Sequence, residues 1–250
     1  MTYFIPDTNH YLKILSDKDA LKKEFTVMSH ICKETTHVPF YHHFYESKTS
    51  LLEKFPHLTN LPEDCCAIEM DYIPVPAWSN PIKDCNQLIH LMQQLMDILE
   101  LLYHEGCIYT DFNLSNFLIT NPSNYKELPT LYLIDFTHMI HFYEENFSAP
   151  SMDTCSRQLL THNFNPDSYR DRILFLHRMV SVTTLHFAGL MDIPLNYEHP
   201  ELTLSPNDNF YQKAKRVLTE PLLNKINFGF YFNGQITEDN IFLKWRQRLH

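Results

Sequence analysis

Asp111-Phe-Asn-Leu-Ser-Asn116, followed by Leu131-Tyr-Leu-Ile-Asp135-Phe-Thr137, is the stretch whose reading decides the fold. It places a carboxylate, then a carboxamide five residues on, then a second carboxylate at the end of an apolar run. A phosphoryl-transfer site needs its parts in that order: a group facing the acceptor hydroxyl, then oxygen ligands for the cation that bridges the phosphates. Magnesium gives up its waters reluctantly and takes few protein ligands, so one Asn and one Asp make a sufficient set. Asp and Asn in loops are also common turn formers that bond their own backbone. Asp135 is harder to read that way, because a carboxylate closing an apolar strand needs a cation or a helix end to satisfy it.

The surrounding pattern supports the motif. Leu88, Leu91, Met92, Leu95, Leu99 and Leu102 recur at helical spacing across residues 86–105. Asp84 with Gln87 makes a capping-box-like start, and Gly106 makes the stop. A short strand is expected at Ile108-Tyr109, then a polar loop, then a strand at Phe117-Leu-Ile119, a turn at Asn121–Asn124, and a returning strand at Leu131–Ile134.

His104-Glu-Gly-Cys-Ile-Tyr-Thr-Asp111-Phe-Asn-Leu-Ser-Asn116 resembles the protein-kinase catalytic loop H-R-D-x-x-x-x-N, and Leu133-Ile-Asp135-Phe-Thr137 resembles the D-F-G segment. Tyr109 and Thr110 stand where the His and Arg would be, Asn113 replaces the usual Lys, and Thr137 replaces the Gly. The run looks most like that of the RIO kinases; aminoglycoside and lipopolysaccharide kinases are similar in lacking the Arg. The resemblance implies an α+β, bilobal protein-kinase-like fold. It divides the chain into a reduced nucleotide lobe over residues 1–73 and a mainly helical catalytic lobe over 74–250. It implies ATP and Mg2+ as cofactors, with Asp111 positioning the acceptor and Asn116 and Asp135 holding the metal.

Upstream, Phe4-Ile5 and Tyr11–Leu15 read as short strands, and a helix follows to about Cys32, with Ser16 as its N-cap and Asp19 in capping-box register. Leu21, Phe25, Met28 and Cys32 form its apolar stripe, and Glu24 falls on the same stripe. A carboxylate on an inward face needs a cation, and Lys13 on the preceding strand is the nearest upstream candidate off the helix. Tyr-Leu-Lys13-Ile resembles the kinase strand whose Lys reaches the nucleotide phosphates while a helix Glu orients it. Lys13 equally suits a solubilising charge on an edge strand, and Glu24 a boundary residue. Cys65–Ile73 reads as a strand ending at Pro74. By resemblance to the kinase hinge, Met70 flanks the adenine, and backbone groups of Asp71 and Ile73 bond the base edge. A buried strand ending at a proline turn would need no ligand. Residues 34–64 suggest only strands and a loop, with a turn at Asn60–Asp64.

One departure is large. A kinase glycine-rich loop lets backbone amides approach the phosphates closely. Of the 4 Gly in this chain, none precedes residue 106, and only about ten residues precede Lys13, too few for the usual first hairpin. The upper lobe is expected to be minimal, with a protein partner completing it or nucleotide held mainly from below.

The region from Thr137 to Thr161 has little periodicity and suits an activation or substrate-binding loop, with Tyr143, Ser148, Ser151 and Thr154 as possible modification sites. Asn165–Asp171 opens an apolar helix that Gly189 ends. Asp171 fits either a residue bonding catalytic-loop amides, as in kinases, or a first-turn Asp favoured by the helix dipole. Further helices are expected over 207–219 and 238–248.

Composition bounds the rest. The 250 residues are 44% hydrophobic and 20% charged, ordinary for a globular protein, with 18 Phe and 14 Tyr. The net charge of −10 argues against nucleic-acid binding, which depends on cationic contacts with phosphate. No apolar run approaches a membrane span, and no signal core begins the chain, so a cytoplasmic protein, or one delivered into a host cell's cytosol, is expected. The 15 His show no metal-ligand spacing, and the six Cys, including the pair Cys65-Cys66, suit a reduced protein. The expected activity is phosphoryl transfer to a protein or small-molecule hydroxyl. A pseudokinase that regulates a partner, a RIO-like ATPase switch, and transfer of another nucleotide group such as AMP are the alternatives.

Overall fold

The computed structural model describes residues 1–75, 85–120, 128–142, 164–169, 171–173, 175–176, 183 and 242. The upper part is built on a hairpin of β1 (Thr2–Ile5) and β2 (His10–Leu15). Its turn closes through the Asn9 amide donating to the Pro6 carbonyl at 3.3 Å, with Asn9 at φ 57. Asn is among the few side chains that adopt this backbone readily. Lys13 thus lies on the second strand of a hairpin that the few preceding residues suffice to form.

Helix α1 (Lys18–Glu34) follows. Its N-cap is Asp17, whose carboxylate accepts from the Ala20 amide, and not Ser16 as the capping-box register suggests. The capping partner is an acid placed against the positive end of the helix dipole. The buried stripe is Leu21, Glu24, Val27, Met28, Ile31 and Cys32; Phe25 is only partly buried beside it.

Strand β3 (Tyr41–Tyr45) leads to α2 (Lys48–Lys54), a helix in a region that reads as strands and loop from sequence alone. Its capping box runs from Ser47 to Ser50, and a Ser in the second place lacks the Glu or Gln that signals such a box. Strand β4 (Cys66–Asp71) completes an antiparallel sheet of order β1-β2-β4-β3. Strand alternation gives the sheet two faces. Cys66, Ile68 and Met70 pack with α1 in the main core; Leu12, Ile14 and Ala67 pack with Leu51 of α2 and Phe55 in a second cluster.

Below lies α3 (Cys85–His104), whose Leu88, Leu91, Met92, Leu95, Met96, Ile98, Leu99 and Leu102 are all buried. Burying each such side chain is worth about 1.5–3 kcal/mol, so this stripe dominates the core. Gly106 ends it at φ 73, and the nearest atom to an added Cβ would be 3.9 Å away, so backbone handedness and not space requires glycine there. Asp84, proposed as its capping partner, lies outside the described residues. The chain continues as β5 (Cys107–Ile108), a 3-10 turn at Leu114–Asn116, β6 (Phe117–Ile119), β7 (Leu131–Leu133) and β8 (Ile140–His141). β6 pairs with β7 and β5 with β8. The two-residue β8 is too short to leave a pattern in sequence.

His37 ties the upper part to the lower. In the linker after α1, the His37 carbonyl accepts from the Leu133 amide at 2.9 Å, and the His37 Nδ1–H donates to the Leu131 carbonyl at 3.0 Å.

Asp171 accepts from the Asn165 amide at 3.1 Å, a bond within its own turn. Among the described residues, Cys32, Cys65, Cys66 and Cys107 are buried and form no disulfide, and no helix is long and apolar enough to cross a membrane. The turn at Asn121–Asn124, most of the loop ending at Thr161, and the helices expected over 207–219 and 238–248 lie outside the described residues, apart from buried Phe242.

Candidate active site

Alternation along β2 sends Lys13 to the face opposite Leu12 and Ile14, towards α1. There Glu24, fully buried on the inner stripe, receives the ammonium at 2.8 Å through Oε2 and 3.1 Å through Oε1. The Tyr41 hydroxyl donates to Glu24 Oε1 at 2.9 Å. The cation expected from the position of Glu24 is therefore Lys13, and a phenol from β3 completes its shell. From below, Asp135 Oδ1 approaches Lys13 Nζ at 2.6 Å. Thr137 Oγ1 lies 2.9 Å from Glu24 Oε2 and 3.0 Å from Asp135 Oδ1. One lysine thus clasps two carboxylates from two different parts of the chain, and one threonine hydroxyl bridges the same pair.

Electrostatics keep Lys13 and Asp135 ionised. Burial works against the Lys13 ammonium, but the charges and hydrogen bonds of Glu24 and Asp135 outweigh it and hold its pKa above the ordinary 10.5. Burial also opposes the Asp135 carboxylate, yet Lys13 and the Thr137 bonds hold its pKa below the usual 3.8. Burial, then the Glu24 charge, push the Tyr41 phenol well above its ordinary value, so it remains a donor.

Local bonds shape the loop between. The Asn116 side-chain amide donates to the Asp111 carbonyl at 3.1 Å, which leaves its Oδ1 free of that bond, and the Asn116 carbonyl accepts from the Ile134 amide at 3.0 Å. The Tyr109 hydroxyl donates to the Ile134 carbonyl at 3.0 Å, just before Asp135, while its ring packs between Phe112 and Phe136. Thr110, fully buried, donates to the His138 carbonyl. The residues standing in place of His and Arg therefore both fasten the loop to the segment around Asp135. Asp135 itself has φ 58, a left-handed backbone that places the carboxylate beside Lys13.

These residues open onto a cavity of about 380 Å³, lined by Lys13, Glu24, Asn116 and Asp135 with Tyr11, Met70, Asp71, Tyr72, Ile73, Val75, Leu118 and Ile134 among its walls. That volume lies within the roughly 300–1,000 Å³ of ordinary small-molecule sites. Seven of the eight residues singled out from sequence meet here: Lys13, Glu24, Met70, Asp71, Ile73, Asn116 and Asp135. Asp111 does not line the cavity; it is half-buried, joined to it through Asn116. The Asp71 amide is already taken by the Phe40 carbonyl at 2.9 Å and so is not left for a ligand's edge. Tyr41 and Thr137 were not foreseen as parts of the site. Thr137 had a weak signal, a hydroxyl two positions after Asp135; Tyr41 had none.

No protein-family model matches the chain, and no curated protein is detectably similar in sequence. Solved structures are similar. The kinase PK-1 of Cydia pomonella granulovirus superposes with a TM-score of 0.61 at 13% identity, over 96% of this chain and 85% of that one. The twitchin kinase region from C. elegans superposes with a TM-score of 0.54 at 15% identity, over 87% of this chain and 37% of that one. The likeness lies in the fold, since so few residues are shared. With the four-stranded sheet above, α3 below and the clasped lysine between them, the chain has a bilobal protein-kinase-like fold.

Proposed function

We propose that the protein is an ATP-dependent phosphotransferase acting on a hydroxyl group. The observation that carries this reading is the Lys13 clasp: a cation held at 2.8 Å by Glu24 and at 2.6 Å by Asp135, facing a cavity of nucleotide size. In kinase-like chemistry a lysine so held meets the nucleotide phosphates, and positioning with charge stabilisation supplies most of the catalysis. Met70 and the backbone of Asp71 and Ile73 form the wall suited to the base. Asp111, outside the cavity but tied to it, suits the acceptor side, where it would orient or deprotonate the attacking hydroxyl. Asn116 Oδ1 and the Asp135 carboxylate are the oxygen donors suited to Mg2+, which when bound would neutralise charge on the transferring phosphoryl group.

A pseudokinase is the second reading. It is favoured by the absence of any glycine before residue 106 and by a Lys13 ammonium already occupied by two carboxylates.

Both readings are tested by mixing the protein with labelled ATP and Mg2+, a generic protein acceptor and a panel of small hydroxyl compounds. Nucleotide at about 100 times its Kd should stabilise the wild type by about 2.7 kcal/mol in a thermal melt. Asp111→Ala should keep that stabilisation and lose transfer by about 10²–10⁴-fold; Asp135→Asn should lose both. A wild-type protein that no nucleotide stabilises would overturn the enzyme reading in favour of the pseudokinase.

A further inference from the structure

The outer face of the upper sheet carries a second cluster of polar side chains, to which the proposed phosphoryl transfer assigns no part. On β4, Glu69 and Asp71 project opposite to Met70, and on β2 His10 projects opposite to Lys13. His42 reaches this face through an irregularity. β3 and β4 pair Tyr41 with Met70 and His43 with Glu69, so His42 is an extra residue at a bulge. Bulges re-aim side chains in this way. The His42 ring stacks on the His10 ring with centroids 4.1 Å apart and planes 19° apart. Each imidazole meets a carboxylate: His10 Nδ1 lies 2.6 Å from Glu69 Oε1, and His42 Nε2 lies 2.6 Å from Asp71 Oδ1. Glu69 is 6% exposed and accepts a further bond from the Tyr45 hydroxyl at 2.7 Å.

One potential ligand atom from each of His10, His42 and Asp71 lies within 4.8 Å of the others. We propose that these three residues form a binding site for a divalent transition metal of the zinc class. Two imidazoles and one carboxylate are the donors such ions prefer, and three protein ligands leave a position for water. Glu69 supplies the support that metal-binding histidines need. Holding Nδ1–H of His10, it leaves Nε2 as the lone-pair nitrogen, and the buried Tyr45 bond fixes Glu69 in turn. Tetrahedral ligands about 2.0–2.1 Å from zinc sit roughly 3.4 Å apart, so the three must draw inward and the stacked rings must turn towards a common point. His10 is partly exposed and His42 and Asp71 are exposed, so the rings have open solvent to turn in, with the Phe40 ring 5.0 Å from that of His42. Linear spacing could not show the site, because its ligands come from three strands.

The test uses the untagged full chain, stripped with chelator and titrated with Co2+ without nucleotide, so its outcome is independent of the phosphotransferase reading. The expected result is one equivalent of cobalt with the ligand-field bands of low coordination. His10→Ala and His42→Ala should each weaken binding at least tenfold, and Glu69→Gln about tenfold. His90→Ala, on α3, should leave binding unchanged. Circular dichroism checks folding, and His42→Gln serves if His42→Ala fails it. Failure to bind cobalt, binding indifferent to His42, or a thiolate-to-cobalt charge-transfer band placing the ion on cysteines would each overturn the proposal.

Discussion

At Thr137 a single hydroxyl proton faces two carboxylates, Glu24 at 2.9 Å and Asp135 at 3.0 Å. Whichever it serves, the other is left with Lys13, so the hydroxyl eases the crowding of two acids around one cation. Replacing it with the isosteric Thr137→Val should therefore destabilise the protein by about 1–3 kcal/mol, read as a lower denaturation midpoint at unchanged m-value. The same clasp has a pH signature. Asp135 titrates lower when folded, so its contribution is present above its unfolded value of 3.8 and fades as pH falls through the lower folded value. Lys13 titrates higher when folded, so its contribution is full below 10.5 and fades as pH rises through the higher folded value. The stability difference between wild type and Lys13→Met should form a plateau that falls away on the acid side below 3.8 and on the alkaline side above 10.5. Chemical denaturation across that range checks it, and a slope confined to neutral pH would contradict it.

Helix α1 shows at the scale of an element what local rules decide and what they miss. Its existence and inward face follow from spacing, because Leu21, Glu24, Met28 and Cys32 recur with the helical period. Its cap does not, since Ser16 and Asp17 are both good caps and only the bond to the Ala20 amide chooses. Asp17→Ala should cost about 1 kcal/mol of stability, while Ser16→Ala should stay within about 0.5 kcal/mol, both by equilibrium unfolding. The hairpin of β6 and β7, helix α3 and the Asp-Asn-Asp order were legible because each is written within a short window. Helix α2, with its Ser–Ser cap, and the two residues of β8 were not, because neither leaves a periodic trace. The links from Tyr41 and Thr137 to Glu24 were hidden for another reason. They join residues 17 and 113 positions apart, and no local pattern encodes such a meeting.

For the whole molecule, regulation and motion follow from what fastens the two halves. Position 110 holds a buried threonine bonded to the His138 carbonyl, where a cation would be needed to receive a phosphate from the loop after Asp135. Phosphatase treatment should therefore change transfer or nucleotide binding by less than about twofold; a large loss would show that a cation from elsewhere does that work. The fastening at His37 bears on movement. Both of its bonds, to the backbone at Leu131 and Leu133, pin the end of the linker after α1 to the lower strands. A tilt of the sheet over the lower strands would take that point as its fulcrum: the Leu15–Cys66 end of the strands would swing farthest, while the turn at Asn9, tied to Tyr72 beside Phe40, would move little.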